Sequence, residues 1–189
     1  MVKIQPSSGM YIKKLVLSAM FVAIGFVLPF FTGQIPQIGN LLQPMHIPVF
    51  LCALICGWQY GAAVGLVLPL LRSLIIGMPP IYPNALAMIA ELAVYGFIAG
   101  FIYSRVKKQN VIMIYVSLLV AMVVGRAAWG AAEVLLLGIG ENGFTWHMFI
   151  TGAFINAVPG IIIQLILIPM LMAALNKTGL VPYKNDCER

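Results

Sequence analysis

The chain has 189 residues, of which 62% are hydrophobic and only 8% are charged, and its formal net charge is +6. A soluble domain is about a quarter charged, so this composition excludes an ordinary soluble domain and indicates an integral membrane protein. Six spans of about 20 residues need roughly 120 residues, which leaves short loops and no room for a second domain.

Six apolar runs follow one another along the chain and predict an all-α membrane protein with a single six-helix domain over residues 1–189. The approximate spans are residues 12–31, 45–57, 60–76, 83–104, 111–138 and 148–175. We expect no cleavable signal peptide, because the first apolar run continues past Pro29 without a small-residue cleavage site.

The first span contains a pair of small residues, Ala19 and Ala23, which are four positions apart and therefore share one helix face. Small side chains allow another helix to approach closely. The residues alone leave open whether that helix belongs to the same chain or to a partner. The connection after this span, Thr32–Pro44, is the longest between spans and is expected to be either an ordered cap or a mobile lid.

The second, third and fourth spans each carry polar residues near one end. His46 begins the second span, as either a cap or interface residue or a ligand contact, and Arg72 lies near the far end of the third. Long basic side chains near a span end can extend to the surface, so Arg72 has either that role or a functional one. The fourth span carries Asn84 near its start and Glu91 in its middle.

The fifth span is long and apolar, yet it contains Arg126 and Glu133 well inside its limits. Each buried charge costs about 2.5–3.5 kcal/mol at mid-membrane on insertion scales, so such residues usually face protein or water and mark a site. Seven residues are about two helical turns, so Arg126 and Glu133 share a face, with Trp129 between them on nearly the same side. Arg126 either pairs with Glu91 to hold helices in register or contacts a ligand.

The sixth span adds Asn156, whose amide suits hydrogen bonding to a ligand when it is combined with the charges of the other spans. Together, these polar residues lie mainly in one half of the predicted helix bundle. We expect them to form a pocket for a polar small molecule.

The basic residues indicate how the chain is oriented. Nine of the eleven fall on one side of the membrane when six spans are counted, and they are Lys3, Lys13, Lys14, Arg105, Lys107, Lys108, Lys177, Lys184 and Arg189. Basic loops are typically cytoplasmic, so both termini are predicted to be cytoplasmic and the pocket to open outside. The net positive charge is therefore an orientation signal, and we expect no nucleic-acid binding.

The sequence lacks the motifs of several common enzyme classes. It has no P-loop GxxxxGK[ST], no HExxH zinc motif and no GxSxG nucleophile elbow. We therefore expect neither an enzyme nor a metal or cofactor site, and Cys52 and Cys56 are expected to act as small apolar residues. A stand-alone proton-coupled carrier using Glu91 or Glu133 as a relay stays open, as does a substrate-capturing subunit energised by partners.

Three features together resemble a known family. They are the stretches PMHIPVFLCALICGWQYGAAVGL and GMPPIYPNALAMIAELAVYG, and the spacing Ala19-x-x-x-Ala23. In these, and in its length, span number and topology, the chain resembles the substrate-binding S components of energy-coupling factor (ECF) transporters, which import vitamins into bacteria and archaea.

The resemblance implies a complex with a transmembrane scaffold subunit, which would dock on Ala19 and Ala23, and with two cytoplasmic ATPases. It also implies localisation in the prokaryotic plasma membrane and a toppling motion that carries the ligand inward. The implied site comprises the first external loop and spans four to six. It maps onto Thr32–Pro44 and onto the residues Asn84, Glu91, Arg126, Trp129, Glu133 and Asn156. Arg72 lies outside the ligand set that the resemblance implies.

Two ligand classes suit this polar set. Pantothenate is the first expectation, because Arg126 is able to bind its carboxylate. A pyridoxine- or pyrimidine-type ring stacked on Trp129 is the alternative.

Overall fold

The computed structural model describes residues 8–32, 43–138, 145, 147, 150–152, 157–178 and 181. Within these residues the regular elements are all helical, and no strand occurs among them. Five helical segments are long and apolar enough to cross a membrane, and a sixth, shorter apolar helix accompanies them. The predicted fold class, an all-α integral membrane protein, is confirmed.

The six helices follow in chain order, several of them extended by a short turn. They are α1 (Ser8–Val27), α2 (His46–Cys56), α3 (Trp58–Ile76), α4 (Leu86–Arg105), α5 (Val111–Leu137) and α6 (Val158–Lys177). A 3-10 turn, Leu28–Thr32, extends α1, and a π-helical turn, Ile81–Ala85, leads into α4. Most of the connection expected to be a cap or lid, residues 33–42, lies outside the described residues.

The start of the last helix differs from the sequence expectation. The apolar run predicts a span from residue 148, whereas α6 begins at Val158, with Pro159 in its first turn. Proline suits that position because its missing N–H would have no partner there. Residues 150–152 are also helical, and residues 148–149 and 153–156 lie outside the described part of the chain.

The short helix α2 lies at the centre of the bundle. Ten of its eleven residues are buried, and it packs against α1, α3, α4 and α6. Eleven residues make a helix of about 16 Å, roughly half the thickness of the hydrocarbon core. Because its neighbours enclose α2, it does not need the length of a helix that faces lipid. Its apolar side chains, with Phe50 fully buried, form the core of the fold.

Helices α3 and α4 approach each other unusually closely, because glycines line their contact. A Cβ atom on Gly65 would overlap the backbone carbonyl of Leu92, and one on Gly96 would overlap the backbone of Gly61. Small residues at such a contact let two membrane helices pack backbone to backbone. These glycines therefore hold α4, which carries Glu91, at a fixed position against α3.

The two ends of the bundle differ in chemistry. The start of α1, the junction of α2 and α3 at Gly57 and the end of α4 meet around a cavity of about 290 Å³ that includes Lys14 and Ser104. Arg105, Lys107 and Lys108 follow directly after this point, and we call this the basic end. The start of α2 and the start of α4 lie at the opposite end, which we call the cavity end.

Candidate functional site

A polar cavity of about 230 Å³ opens at the cavity end of the bundle. The start of α2, the connection between α3 and α4, the first half of α4 and the second half of α5 contribute its walls. The residues that line it are Gln43, His46, Pro79, Asn84, Met88, Glu91, Arg126, Trp129, Glu133 and Gly152. Six of the seven predicted ligand residues thus lie around one cavity. The seventh, Asn156, lies outside the described residues.

An ion pair joins α4 to α5 at this cavity. Glu91 Oε1 lies 2.8 Å from Arg126 Nη1, and the two side chains are only 4% and 7% exposed. The hydroxyl of Tyr95 donates a hydrogen bond of 2.8 Å to the same carboxylate oxygen. Of the two roles predicted for Glu91 and Arg126, the structure shows the pairing, and it also places both residues on the cavity wall.

His46 lies beside this pair at the start of α2. Its Nε2 atom is 3.8 Å from Glu91 Oε1, and its side chain is 1% exposed. Among the described residues, neither ring nitrogen has a hydrogen-bond partner, and α2 has no side-chain cap. His46 therefore does not cap the helix, and it brings two unpartnered ring nitrogens to the wall of the cavity.

Gln43 connects the chain before α2 to the ion pair. Arg126 Nη2 donates a hydrogen bond of 2.6 Å to Gln43 Oε1. Gln43 has a φ of 46°. Residues other than glycine seldom adopt this left-handed backbone conformation, and those that do are frequent at functional sites. Glu91 and Gln43 together contact both terminal nitrogens of Arg126, while its buried Nε has no hydrogen-bond partner among the described residues.

One face of α5 brings Trp129 and Glu133 to the cavity, one and two turns after Arg126. Glu133 is 5% exposed, and no described residue forms a hydrogen bond or an ion pair with its carboxylate. Trp129 packs against Gly152, where an added Cβ would lie 2.7 Å from the ring. Two features of this face thus suit a ligand: an indole ring and a carboxylate with no described partner.

The connection between α3 and α4 forms the rim of the cavity, and three side chains hold it. Arg72 Nε donates to Met78 O at 3.2 Å, and Ser73 Oγ donates to Pro79 O at 2.7 Å. The hydroxyl of Tyr82 donates to the carbonyl of Leu136 at the end of α5. Arg72 is 6% exposed and does not line the cavity, so it neither extends to the surface nor belongs to the cavity wall.

Four lining residues were not singled out from the sequence: Gln43, Pro79, Met88 and Gly152. Gln43 does lie in the loop Thr32–Pro44 that the resemblance implies as part of the site. Met88 lies four residues after Asn84 and three before Glu91, so helical periodicity predicts that it shares their face. Gln43 and Pro79 belong to connections, for which periodicity gives no signal, and Gly152 lies in the helical residues 150–152 that precede α6. Within the described residues no three His, Cys, Asp or Glu side chains are placed to hold a metal ion.

The two small residues of α1 lie away from the cavity. Ala19 and Ala23 are both exposed, and so are their neighbours Val16, Met20 and Val27. The described part of the chain therefore does not cover this face. A helix that packs on Ala19 and Ala23 has to come from outside it.

Comparisons with known proteins give one finding. A family model described as "ECF transporter, substrate-specific component" matches residues 13–172. The comparison with curated proteins and the comparison with solved structures give no match.

Proposed function

The chain belongs to the substrate-specific components of ECF transporters, and from that premise we propose that it captures a small water-soluble vitamin or precursor outside the cell. It delivers this molecule inward as part of an ATP-driven importer. Members of this family are substrate-binding transport subunits and not enzymes, so partner ATPases would hydrolyse the ATP.

The observation that carries this proposal is the polar cavity at one end of an otherwise apolar bundle. Glu91, Arg126 and Glu133 are expensive to bury in a membrane protein, and buried charges usually mark a pathway or a site. The ion pair of Glu91 with Arg126 offsets part of this cost for two of them. No described residue offsets it for Glu133, which a bound ligand would do.

The cavity volume of about 230 Å³ lies just below the range of about 300–1,000 Å³ that is typical for drug-sized ligands. A vitamin-sized molecule is therefore the expected occupant. Its proposed contacts are His46, Asn84, Glu91, Arg126, Trp129, Glu133 and, from the sequence alone, Asn156.

The proposed orientation follows from the basic end. Arg105, Lys107 and Lys108 lie there, and basic residues favour the cytoplasmic side. The cavity end then faces outside the cell, both termini are cytoplasmic, and the protein lies in a prokaryotic plasma membrane. The scaffold subunit would dock on the exposed face of Ala19 and Ala23, and a toppling of the bundle would turn the cavity inward.

The experiment that tests the site measures the small molecule retained by the purified protein. We expect mass spectrometry to find a co-purified vitamin or precursor in the wild-type protein. Arg126→Ala and Glu133→Ala should reduce the bound amount about tenfold or more, because a hydrogen bond to a charged group contributes about 1.5–3 kcal/mol. Val123→Ala is the matched control, since Val123 lies on α5 but is 68% exposed on the outer face of the bundle.

Equal ligand content in wild-type protein and in folded Arg126→Ala and Glu133→Ala variants would contradict the assignment of this cavity. Size-exclusion elution and the unfolding temperature report whether each variant is folded. A stand-alone proton-coupled carrier is the competing function, since Glu133 lacks a described partner and would be available as a relay.

A further inference from the structure

The cavity wall contains more carboxylates than guanidinium groups. Arg126 contributes the one guanidinium of the described wall, while Glu91 and Glu133 contribute two carboxylates. The guanidinium of Arg126 is already paired with Glu91 through Nη1 and bound by Gln43 through Nη2. Glu133 is therefore the carboxylate of this wall that has no partner among the described residues.

Among the described residues, no lysine, and no arginine other than Arg126, lines the cavity. Arg72, at the same end, is buried and directed to the carbonyl of Met78, and it does not line the cavity. The segments outside the described residues at this end contain no lysine or arginine, and their one charged residue is Glu141. The remaining lysines and arginines occur near the termini or in the connection between α4 and α5, which begins at the basic end.

The position of Trp129 adds a second constraint. It lies on α5 one turn from Glu133 and lines the same cavity, so a flat ligand that stacks on the indole ring also lies within reach of the carboxylate. A cation over an indole face is itself attracted by the ring. A positively charged heterocycle would therefore gain from both side chains.

We propose that this cavity selects a protonatable nitrogen heterocycle, which stacks on Trp129 and presents a positive charge or an N–H donor to Glu133, and that it rejects carboxylates. This inference rests on the proposed function and deepens it by naming the class of substrate. Of the two ligand classes predicted from the sequence, it favours the pyridoxine- or pyrimidine-type compound over pantothenate.

The physical reason is that a ligand carboxylate would lie between the carboxylates of Glu91 and Glu133, while the one guanidinium of the described wall is already paired with Glu91. Like charges brought together away from water repel strongly, because the low local dielectric screens them little. A heterocyclic cation or donor needs no rearrangement of the Glu91–Arg126 pair, and it neutralises Glu133.

The test uses pairs of probes that differ by one charged group. Pyridoxamine, pyridoxine and 4-pyridoxate share a ring and end in an amine, an alcohol and a carboxylate; panthenol and pantothenate differ in the same way. The purified full-length protein is titrated with each, and the shift of its unfolding temperature gives the apparent affinity. We expect pyridoxamine or pyridoxine to bind at least tenfold tighter than 4-pyridoxate, and pantothenate to bind no tighter than panthenol.

The variant Glu133→Gln should reduce the preference for pyridoxamine over 4-pyridoxate to about threefold or less. Glu141→Gln is the matched control, because it removes the other acidic side chain that the sequence places near this end, and it should leave the preference unchanged. Tighter binding of the carboxylates, an unchanged preference in Glu133→Gln, or an equal loss in Glu141→Gln would each overturn the inference.

The identity of the co-purified molecule separates this inference from the function on which it rests. If the co-purified molecule is a carboxylate, and the Glu133→Gln variant retains as much of it as the wild-type protein does, the inference about ligand charge is overturned. The proposed function is then unaffected. If nothing co-purifies and no probe shifts the unfolding temperature, the proposed function fails, and the inference fails with it.

Discussion

At the scale of single residues, the centre of the site is a group of side chains that depend on one another. Glu91 Oε1 is within 2.8 Å of both Arg126 Nη1 and the Tyr95 hydroxyl, and His46 stands 3.8 Å away. A buried ion pair contributes little net stability compared with an apolar pair, but the loss of one partner leaves an uncompensated charge. Replacing one member of the Glu91–Arg126 pair is therefore expected to destabilise the fold more than replacing both members.

We predict that Glu91→Gln and Arg126→Gln each lower the free energy of unfolding by about 3 kcal/mol. The double variant should lose clearly less than the sum, because it leaves no unpaired charge. Denaturant unfolding in detergent measures all three variants, with Ser104→Ala at an exposed position as the control. Additive losses would show that the two residues do not stabilise each other.

The sequence was informative about residues on regular helices and less so about the others. Helix geometry alone predicts that Arg126, Trp129 and Glu133 share a face, and the structure places all three on one cavity. The resemblance implied that the loop Thr32–Pro44, which contains Gln43, belongs to the site. The contact of Gln43 with Arg126 was not predictable, because it depends on a left-handed backbone in a connection. The role of Arg72 was not predictable from the sequence either, because its partner is a backbone carbonyl of the connection between α3 and α4.

At the scale of elements, α1 is the helix least embedded in its own chain. Only 17% of its apolar stretch is buried inside the described structure, compared with 44% for the segment that contains α4. Ala19 and Ala23 both lie on its exposed surface, and a pair of small residues allows another helix to approach closely. Of the two neighbours that the sequence left open, a helix of a partner subunit is therefore the one that we propose for this face.

We predict that Ala19→Leu combined with Ala23→Leu prevents assembly with the scaffold and abolishes transport, while ligand retention stays within about twofold of wild type. Co-purification with the scaffold subunit and uptake of the ligand into cells measure the two effects. Ala127→Leu combined with Ala131→Leu is the control, because these exposed alanines have the same spacing on α5. Normal assembly of the α1 variant would place the docking surface elsewhere.

Element boundaries followed from the sequence wherever an apolar run ends in a turn residue. Gly57 ends α2 with a φ of 105° and Gly77 ends α3 with a φ of 77°, conformations that glycine adopts readily. The start of α6 is harder to predict from the sequence, because the apolar run continues on both sides of Val158. An uninterrupted run shows where a helix is favoured, but it does not show which residue begins it.

At the scale of the whole molecule, the chain carries the proposed ligand site and the proposed docking surface, but its sequence contains no P-loop for nucleotide hydrolysis. Energy for uptake therefore has to come from partners or from an ion gradient. We predict that depletion of ATP stops uptake in cells that express the complete transporter, whereas a protonophore applied with ATP held constant reduces it less than twofold. Uptake that depends strictly on the proton gradient, in cells lacking the scaffold, would instead identify a stand-alone carrier.

The burial of α2 has a consequence for the resting membrane. Beneath the cavity, this short helix is surrounded on its flanks by α1, α3, α4 and α6, and ten of its eleven residues are buried. We therefore expect an ion that enters the cavity to meet a closed apolar layer instead of a conducting path. A membrane that holds many idle copies of such a subunit should then keep its electrochemical potential.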